Sequence, residues 1–278
     1  MQPRHNNQLT LQEIQAFSLE ILKDVHRFCI ENKIMYSVSD GTLLGAIRHK
    51  GFIPWDDDID IIMPRPFFDR FCETYKSNRF KLAYRPLNKD YYVCFARVYD
   101  DAQTRAKCDL PWCKREVGCW IDVLPADGAP DNPNIAKEYY AENHELWHNT
   151  VVMRKKTLRA LSKNKPISWN LYSIAWKILD IFHLLLGRSV DRAISSAKRL
   201  RFGETGYWSQ YTTTQDNCQE HNRMETFTHT IELPFEDTTV MVMNGYDEVL
   251  RNKYKNYWEL PPIEKRTTFN TGNSFYWK

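Results

Sequence analysis

No apolar run in this chain is uninterrupted enough to cross a membrane. The most hydrophobic stretch, Trp169 to Leu186, contains Asn170, Ser173, Lys177, Asp180 and His183, which at spacings of three and four draw one polar stripe along a predicted helix. Met1 to Gln8 are polar and lack the apolar centre of a secretion signal, which predicts a cytoplasmic protein. Internal repeats, low-complexity tracts and an obvious linker are also missing. The reading is therefore a single domain over 1–278, with a helical insertion at about 133–203, rather than two domains. The seven cysteines are odd in number and lack C-x-x-C pairs. That spacing argues against a structural zinc site built from Cys108, Cys113, Cys119, Cys218 and His221, and predicts free buried thiols.

What is present is globular: 42% hydrophobic and 14% aromatic residues, with nine Trp and fifteen Tyr. The net charge of +3 hides an uneven distribution. Between Arg154 and Arg201 twelve Lys or Arg face only Asp180 and Asp191, a local +10 that leaves −7 for the rest. Such a segment suits an anionic partner. With the striped helix inside it, 154–201 can lie against the inner face of a cell membrane or pack within the insertion; no nucleic-acid motif accompanies it.

Thr10 and Glu13 form a predicted capping box, and Leu11, Ile14, Phe17, Ile21, Val25 and Phe28 mark an amphipathic helix ending near Asn32. Ile34 to Val38 reads as a strand. Gly41 and Thr42 then open a short helix, and a second strand carries Asp58 to Ile62. Further expectations are a helix over 66–77, strands at 80–84, 92–98 and 120–124, strands within 231–242, a helix over 246–257, and a polar, aromatic tail. The sum is an α/β fold with a small mixed sheet.

In Asp56-Asp57-Asp58-Ile59-Asp60, strand alternation would put 56, 58 and 60 on one face. Like charges that close raise each other's pKa, and a hard divalent cation such as Mg²⁺ or Mn²⁺ relieves them through oxygen ligands. A bare Asp-x-Asp also occurs in solvated acidic loops. Here Ile59, Ile61 and Ile62 embed it in a core strand, and the helix start at Gly41-Thr42 offers N–H groups and a positive dipole end to phosphate. Arg48, His49 and Lys50 follow closely enough to meet a diphosphate, Arg48 with the best-suited fork, or to serve only as solvated helix-end cations. Asp122, on a predicted strand, is the candidate third carboxylate, as metal ligand or proton acceptor; its alternative is a turn cap before Pro125.

The string Asp40-Gly41-Thr42-Leu43-Leu44-Gly45, continued by Gly51-Phe52-Ile53-Pro54-Trp55-Asp56-Asp57-Asp58-Ile59-Asp60-Ile61, resembles the signature of the LicD family, to which fukutin-related proteins also belong. The likeness continues weakly through 97–104, Trp120 to Pro125 with Asp127-Gly128, Pro234-Phe235 and Leu260-Pro261-Pro262. The resemblance implies a nucleotidyltransferase-like core. It also implies a CDP-linked donor such as CDP-choline, transfer of phosphocholine or a similar phospho-alcohol, and a sugar hydroxyl of a lipid-linked or cell-surface glycan precursor as acceptor. Asp58, Asp60 and Asp122 would be its catalytic and metal-binding residues, and Gly41, Thr42, Arg48, His49 and Asp56 its nucleotide-binding ones. A choline group would need an aromatic cage, for which Tyr91, Tyr92, Trp112 and Trp120 are candidates, although in a chain this rich in aromatics a core place suits each of them better.

Three other functions compete. A nucleotidyltransferase would release pyrophosphate, and a nucleotide-binding module would turn nothing over. His144-Glu145-Leu146-Trp147-His148 matches the zinc metalloprotease pattern, yet Val151 and Arg154 stand where its extended form needs Gly and His, and no Glu follows before Glu204.

Overall fold

The computed structural model describes residues 7–108, 112–113, 116–162, 187–211, 221–268 and 273–278. The chain enters through α1 (Leu11–Glu31), whose start is fixed reciprocally: the Thr10 hydroxyl accepts the Glu13 N–H at 3.3 Å, and the Glu13 carboxylate accepts the Thr10 N–H at 2.7 Å. The apolar spacing buries Ile14, Phe17, Ile21, Leu22 and Val25, and this face lies on the central sheet.

That sheet follows the order β1 (Ser37–Val38), β2 (Asp60–Pro64), β6 (Trp120–Ala129), β4 (Ala96–Asp100), β3 (Phe80–Ala83). Only β2 and β6 run parallel; the other pairs are antiparallel. The distal half of β6 turns to pair with β7 (Tyr207–Ser209), which pairs with β8 (Asn222–Arg223). The apolar runs explain this centre, since Ile59, Ile61, Met63, Ile121 and Val123 are wholly buried. Between β1 and β2 lies α2 (Asp40–His49), and after β2 comes α3 (Arg65–Thr74). The fold is α/β, as the sequence predicts.

Two pairs of strands flank the sheet. The hairpin β9 (Thr230–Phe235) and β10 (Thr238–Met243) turns at Glu236, whose φ is +52°. Its tip docks on the turn after α2, because Glu236 donates its N–H to the Lys50 carbonyl at 2.8 Å and accepts the Phe52 N–H at 2.8 Å. β5 (Thr104–Cys108) pairs with β11 (Asn273–Trp277), followed in space by an isolated bridge from Tyr276 to Gln8. The supposed polar tail is thus an edge strand; its partner lies so far away in sequence that no local pattern announces it.

Several expected boundaries move. The second strand begins at Asp60, not Asp58, because Asp56 N–H bonds back to Ile53 O at 2.9 Å in a turn. The helix expected to reach residue 77 stops at Thr74; Tyr75 leaves it to pack on Phe28 and Phe71 and to donate its hydroxyl to Asp24 at 2.8 Å. The strand expected at 92–98 is β4, four residues later. The 246–257 helix, α6, ends at Tyr254. In the expected insertion, α4 spans Pro133–Ser162 and α5 covers 187–197; the striped helix at 169–186 lies outside the described residues. Cys29, Cys72, Cys94, Cys108, Cys113 and Cys119 are free thiols, while Cys218 falls outside the described residues.

Candidate active site

Strand register assembles the site. Asp60 on β2 lies opposite Asp122 on β6, and Asp122 lies opposite Arg97 on β4. Cross-strand partners share a face, so Asp60, Asp122 and Arg97 form a row across three strands. The backbone of the row is pinned: Ser39 N–H donates to Asp60 O at 3.0 Å, Asp122 N–H to Ile59 O at 2.9 Å, and Asp60 N–H to Thr42 Oγ1 at 2.9 Å. Asp56 and Asp58 join from the preceding loop, which Gln15 ties to α1 by donating Nε2 to Asp56 O at 2.8 Å. Turn geometry, not strand alternation, brings these two acids to Asp60.

The electrostatics follow from crowding. Partial removal from water, then the charges of Asp56, Asp122 and Asp57, push the Asp58 carboxyl up to about 9, even though it is the outermost of the cluster and reaches solvent. Burial, then Asp58, Asp40 and Asp122, hold Asp60 well above the usual carboxylate range, against the pull of Lys253. Asp56 is raised chiefly by burial and is hydrogen-bonded to Asp58. Crowding and burial together thus disfavour a fully charged set of carboxylates here.

Gly41 explains how Asp56 comes so close. A Cβ at that position would lie 2.5 Å from Asp56 Oδ2, so only glycine leaves room for the carboxylate at the start of α2. Asp40, at φ +51°, places its own carboxylate at this helix terminus, where Ser39 Oγ donates to it at 3.0 Å and Lys253 of α6 pairs with it.

The other anticipated residues divide by position. The Thr42 hydroxyl is buried and accepts the Asp60 N–H, so it shapes the acidic strand. Arg48 donates Nη1 to the carbonyl of Tyr257 at 2.7 Å, and its Nε lies 3.5 Å from His49 Nδ1. Burial, then the Arg48 charge, lowers the His49 pKa. Asp122 is gripped by the Arg97 fork, Nε to Oδ1 at 2.6 Å and Nη2 to Oδ2 at 3.2 Å. Of the four aromatics considered for a cage, Tyr91 and Tyr92 are core residues, and the Trp112 and Trp120 rings receive the Arg97 guanidinium at 4.9 and 4.7 Å. The chain's own cation fills that box.

His144 and His148 stack on each other with ring centroids 5.5 Å apart, and His144 also stacks on Tyr140. His221 bonds Pro130 O at 2.8 Å and lies flat on Tyr207. Among the described residues no three His, Cys, Asp or Glu side chains stand in a ready-made metal-ligating arrangement. The acidic cluster fits a cation by chemistry instead: Asp58 and Asp60 are hard oxygen donors whose mutual repulsion a divalent ion would relieve. Asp122 can join them only when Arg97 lets go.

Sequence reasoning missed Arg97 and Lys253 as parts of this site. Arg97 lay inside a block noted only for its likeness, and Lys253 is one of two basic residues on α6, with Arg251, and nothing local distinguishes it.

Comparison with known proteins narrows the class of α/β protein to which this row of acids belongs. Residues 33–165 match the family model described as LicD/FKTN/FKRP, nucleotidyltransferase domain. The lipopolysaccharide cholinephosphotransferase LicD of Haemophilus influenzae is 31% identical over 268 residues, covering 92% of this chain and 94% of that protein. An uncharacterised protein of Rickettsia typhi is 38% identical over 186 residues, 66% of this chain and 56% of that one. The chain belongs to the LicD family.

Proposed function

We propose that this protein transfers phosphocholine, or a similar phospho-alcohol, from a CDP-linked donor to a sugar hydroxyl of a cell-surface glycan precursor. The observation that carries the reading is the crowding of Asp56, Asp58 and Asp60 beside Asp122, an array of like charges that a cation among the oxygens would relieve. Similarity along nearly the whole length of a lipopolysaccharide cholinephosphotransferase supports the choice of transferred group and acceptor class.

Asp58 and Asp60 would hold Mg²⁺ or Mn²⁺, which when bound supplies charge neutralisation for the donor's phosphates. The residues supply the rest. Asp122, oriented by Arg97, accepts the proton of the acceptor hydroxyl as its oxygen attacks the distal phosphorus; the bond from that phosphorus to the bridging oxygen breaks, and CMP leaves. Gly41 and Asp56 set the floor on which the phosphates rest, and Thr42 keeps the Asp60 backbone in register. Most of the rate advantage is positioning. A lipid-linked acceptor would be met at the membrane surface through the positive charge of segment 154–201.

The test is CMP release from CDP-choline and from CDP-ribitol, with Mg²⁺, Mn²⁺ or EDTA, by wild type and Asp60→Ala. CMP from wild type alone, and only with metal, supports the reading. Pyrophosphate release in place of CMP would mark a nucleotidyltransferase and overturn it.

A further inference from the structure

The segment after α6 runs back across α2 and carries a cation that the reaction as drawn above does not use. Arg266 lays its guanidinium over the Trp55 ring, 5.6 Å from the centroid, directly before Asp56, Asp57 and Asp58 in the chain. Its Nε donates to Pro261 O at 2.9 Å, which leaves both terminal amino groups without a protein acceptor among the described residues. Arg48 pins the same segment through the Tyr257 carbonyl and lies within electrostatic range of Arg266; burial, then that like charge, lowers its pKa. Both guanidinium groups are only partly exposed, and among the described residues neither meets a carboxylate.

Arg48 and Arg266 are half-buried and within electrostatic reach of each other, and although each donates to a backbone carbonyl and Arg266 rests on Trp55, no acid among the described residues neutralises either charge. An anion between them would offset both. The Arg fork matches phosphate oxygens in pairs, and the Trp55 face fixes the plane in which the Arg266 fork is presented. Every charged side chain of the adjoining loop, Asp56 to Asp58, is acidic, so the two arginines supply the positive charge at this edge of the site.

We propose that Arg266 and Arg48 form a two-armed clamp for the diphosphate of the donor, so that the segment 255–268 completes the nucleotide site. The clamp rests on the donor reading above for the identity of its ligand, though not for its chemistry, which is a diphosphate. Arg266 takes the phosphate oxygens with its two free amino groups, and Arg48 adds the second positive arm while it holds the segment in place.

Calorimetric binding of CDP, cytidine and inorganic pyrophosphate, with Mg²⁺ throughout, tests this on wild type, Arg266→Gln and Arg266→Lys. CDP and pyrophosphate should each bind about ten- to a hundredfold more weakly to Arg266→Gln, the loss expected from a charge-assisted pair. Cytidine, which has no phosphate, should bind all variants alike, and the melting temperature should not move. If Arg266→Gln melts early, Arg266→Lys decides, because it keeps the charge and loses the fork; wild-type affinity for pyrophosphate in that variant overturns the clamp. So does wild-type affinity in Arg266→Gln, or a wild-type protein that binds no pyrophosphate. Pyrophosphate binding that depends on Arg266 in a protein indifferent to CDP keeps the clamp and sinks the CDP donor.

Discussion

Replacing Arg97 by Met removes the charge that faces Asp122 while keeping a long, polarisable side chain among Phe95, Trp112 and Trp120. The pair is largely sealed, with side-chain exposures of 13% and 20%. Deleting one partner of a buried ion pair strands the other, at a cost of roughly 3–5 kcal/mol, and the residual solvent contact here favours the lower end, about 3 kcal/mol. The sulfur-aromatic contacts offset only a fraction of that. At roughly 2–4 °C per kcal/mol for a domain of this size, the melting point should fall by about 6–12 °C. Urea unfolding followed by tryptophan fluorescence measures it, and a cycle with Asp122→Asn isolates the pair: the double variant should be scarcely less stable than either single one, a coupling of about 2 kcal/mol or more. Function gives a second reading. Freed from the fork, Asp122 becomes a third oxygen donor beside Asp58 and Asp60, so Arg97→Met should bind Mn²⁺ more tightly than wild type while losing turnover. Additive losses in the cycle, or a single-variant cost below about 1 kcal/mol, would refute the view that Arg97 and Asp122 act as a unit.

Other expectations are as direct. Gly41→Ala drives a methyl group against Asp56 Oδ2, so donor affinity and turnover should drop together while circular dichroism stays unchanged; an active Gly41→Ala protein contradicts the role given to that close approach. Asp127→Asn strands Arg65, which grips Asp127 through two 2.6 Å bonds in the interior, and should cost about 3–5 kcal/mol in urea, partly recovered by adding Arg65→Met. Burial lowers the His26 pKa, against the raising effect of Glu232; with Met241 N–H donating to Tyr36 Oη at 3.3 Å, the Tyr36 hydroxyl is left to donate to a neutral ring at 2.7 Å. Because the unfolded chain takes up that proton first, this contribution to stability is present above about pH 6.5 and is lost as pH falls from there through the lower folded value. His26→Gln should flatten the urea midpoint across that window; an unchanged slope excludes His26 as its source.

What the sequence shows and what it hides follow the range of the interactions. The capping box of Thr10 and Glu13 is a contact within four residues, and α1 starts where it says. The isoleucines around Asp60 declare a buried strand because burial on both faces leaves no polar alternation. Asp56 and Asp58 belong with Asp60, yet the period-two pattern that suggests it is not what joins them, since a turn at 53–56 does. The grip of Arg97 on Asp122 is set by strand order, which residue spacing does not encode. Lys253 and Arg266 reach the site from segments beyond the insertion, so neither carries a local sign of its destination.

Strand β6 is bonded along both edges through its first half, by β2 on one side and β4 on the other. Amides there should exchange with deuterium only on global opening, which would put Asp122 on the slowest-exchanging part of the protein. The mostly exposed chain from 255 to 268, held to α2 by the Arg48 contact to the Tyr257 carbonyl and to Trp55 by Arg266, belongs at the opposite end of that scale. If the segment takes nucleotide, the protection that appears on binding should be confined to 255–268 and should leave β6 unchanged.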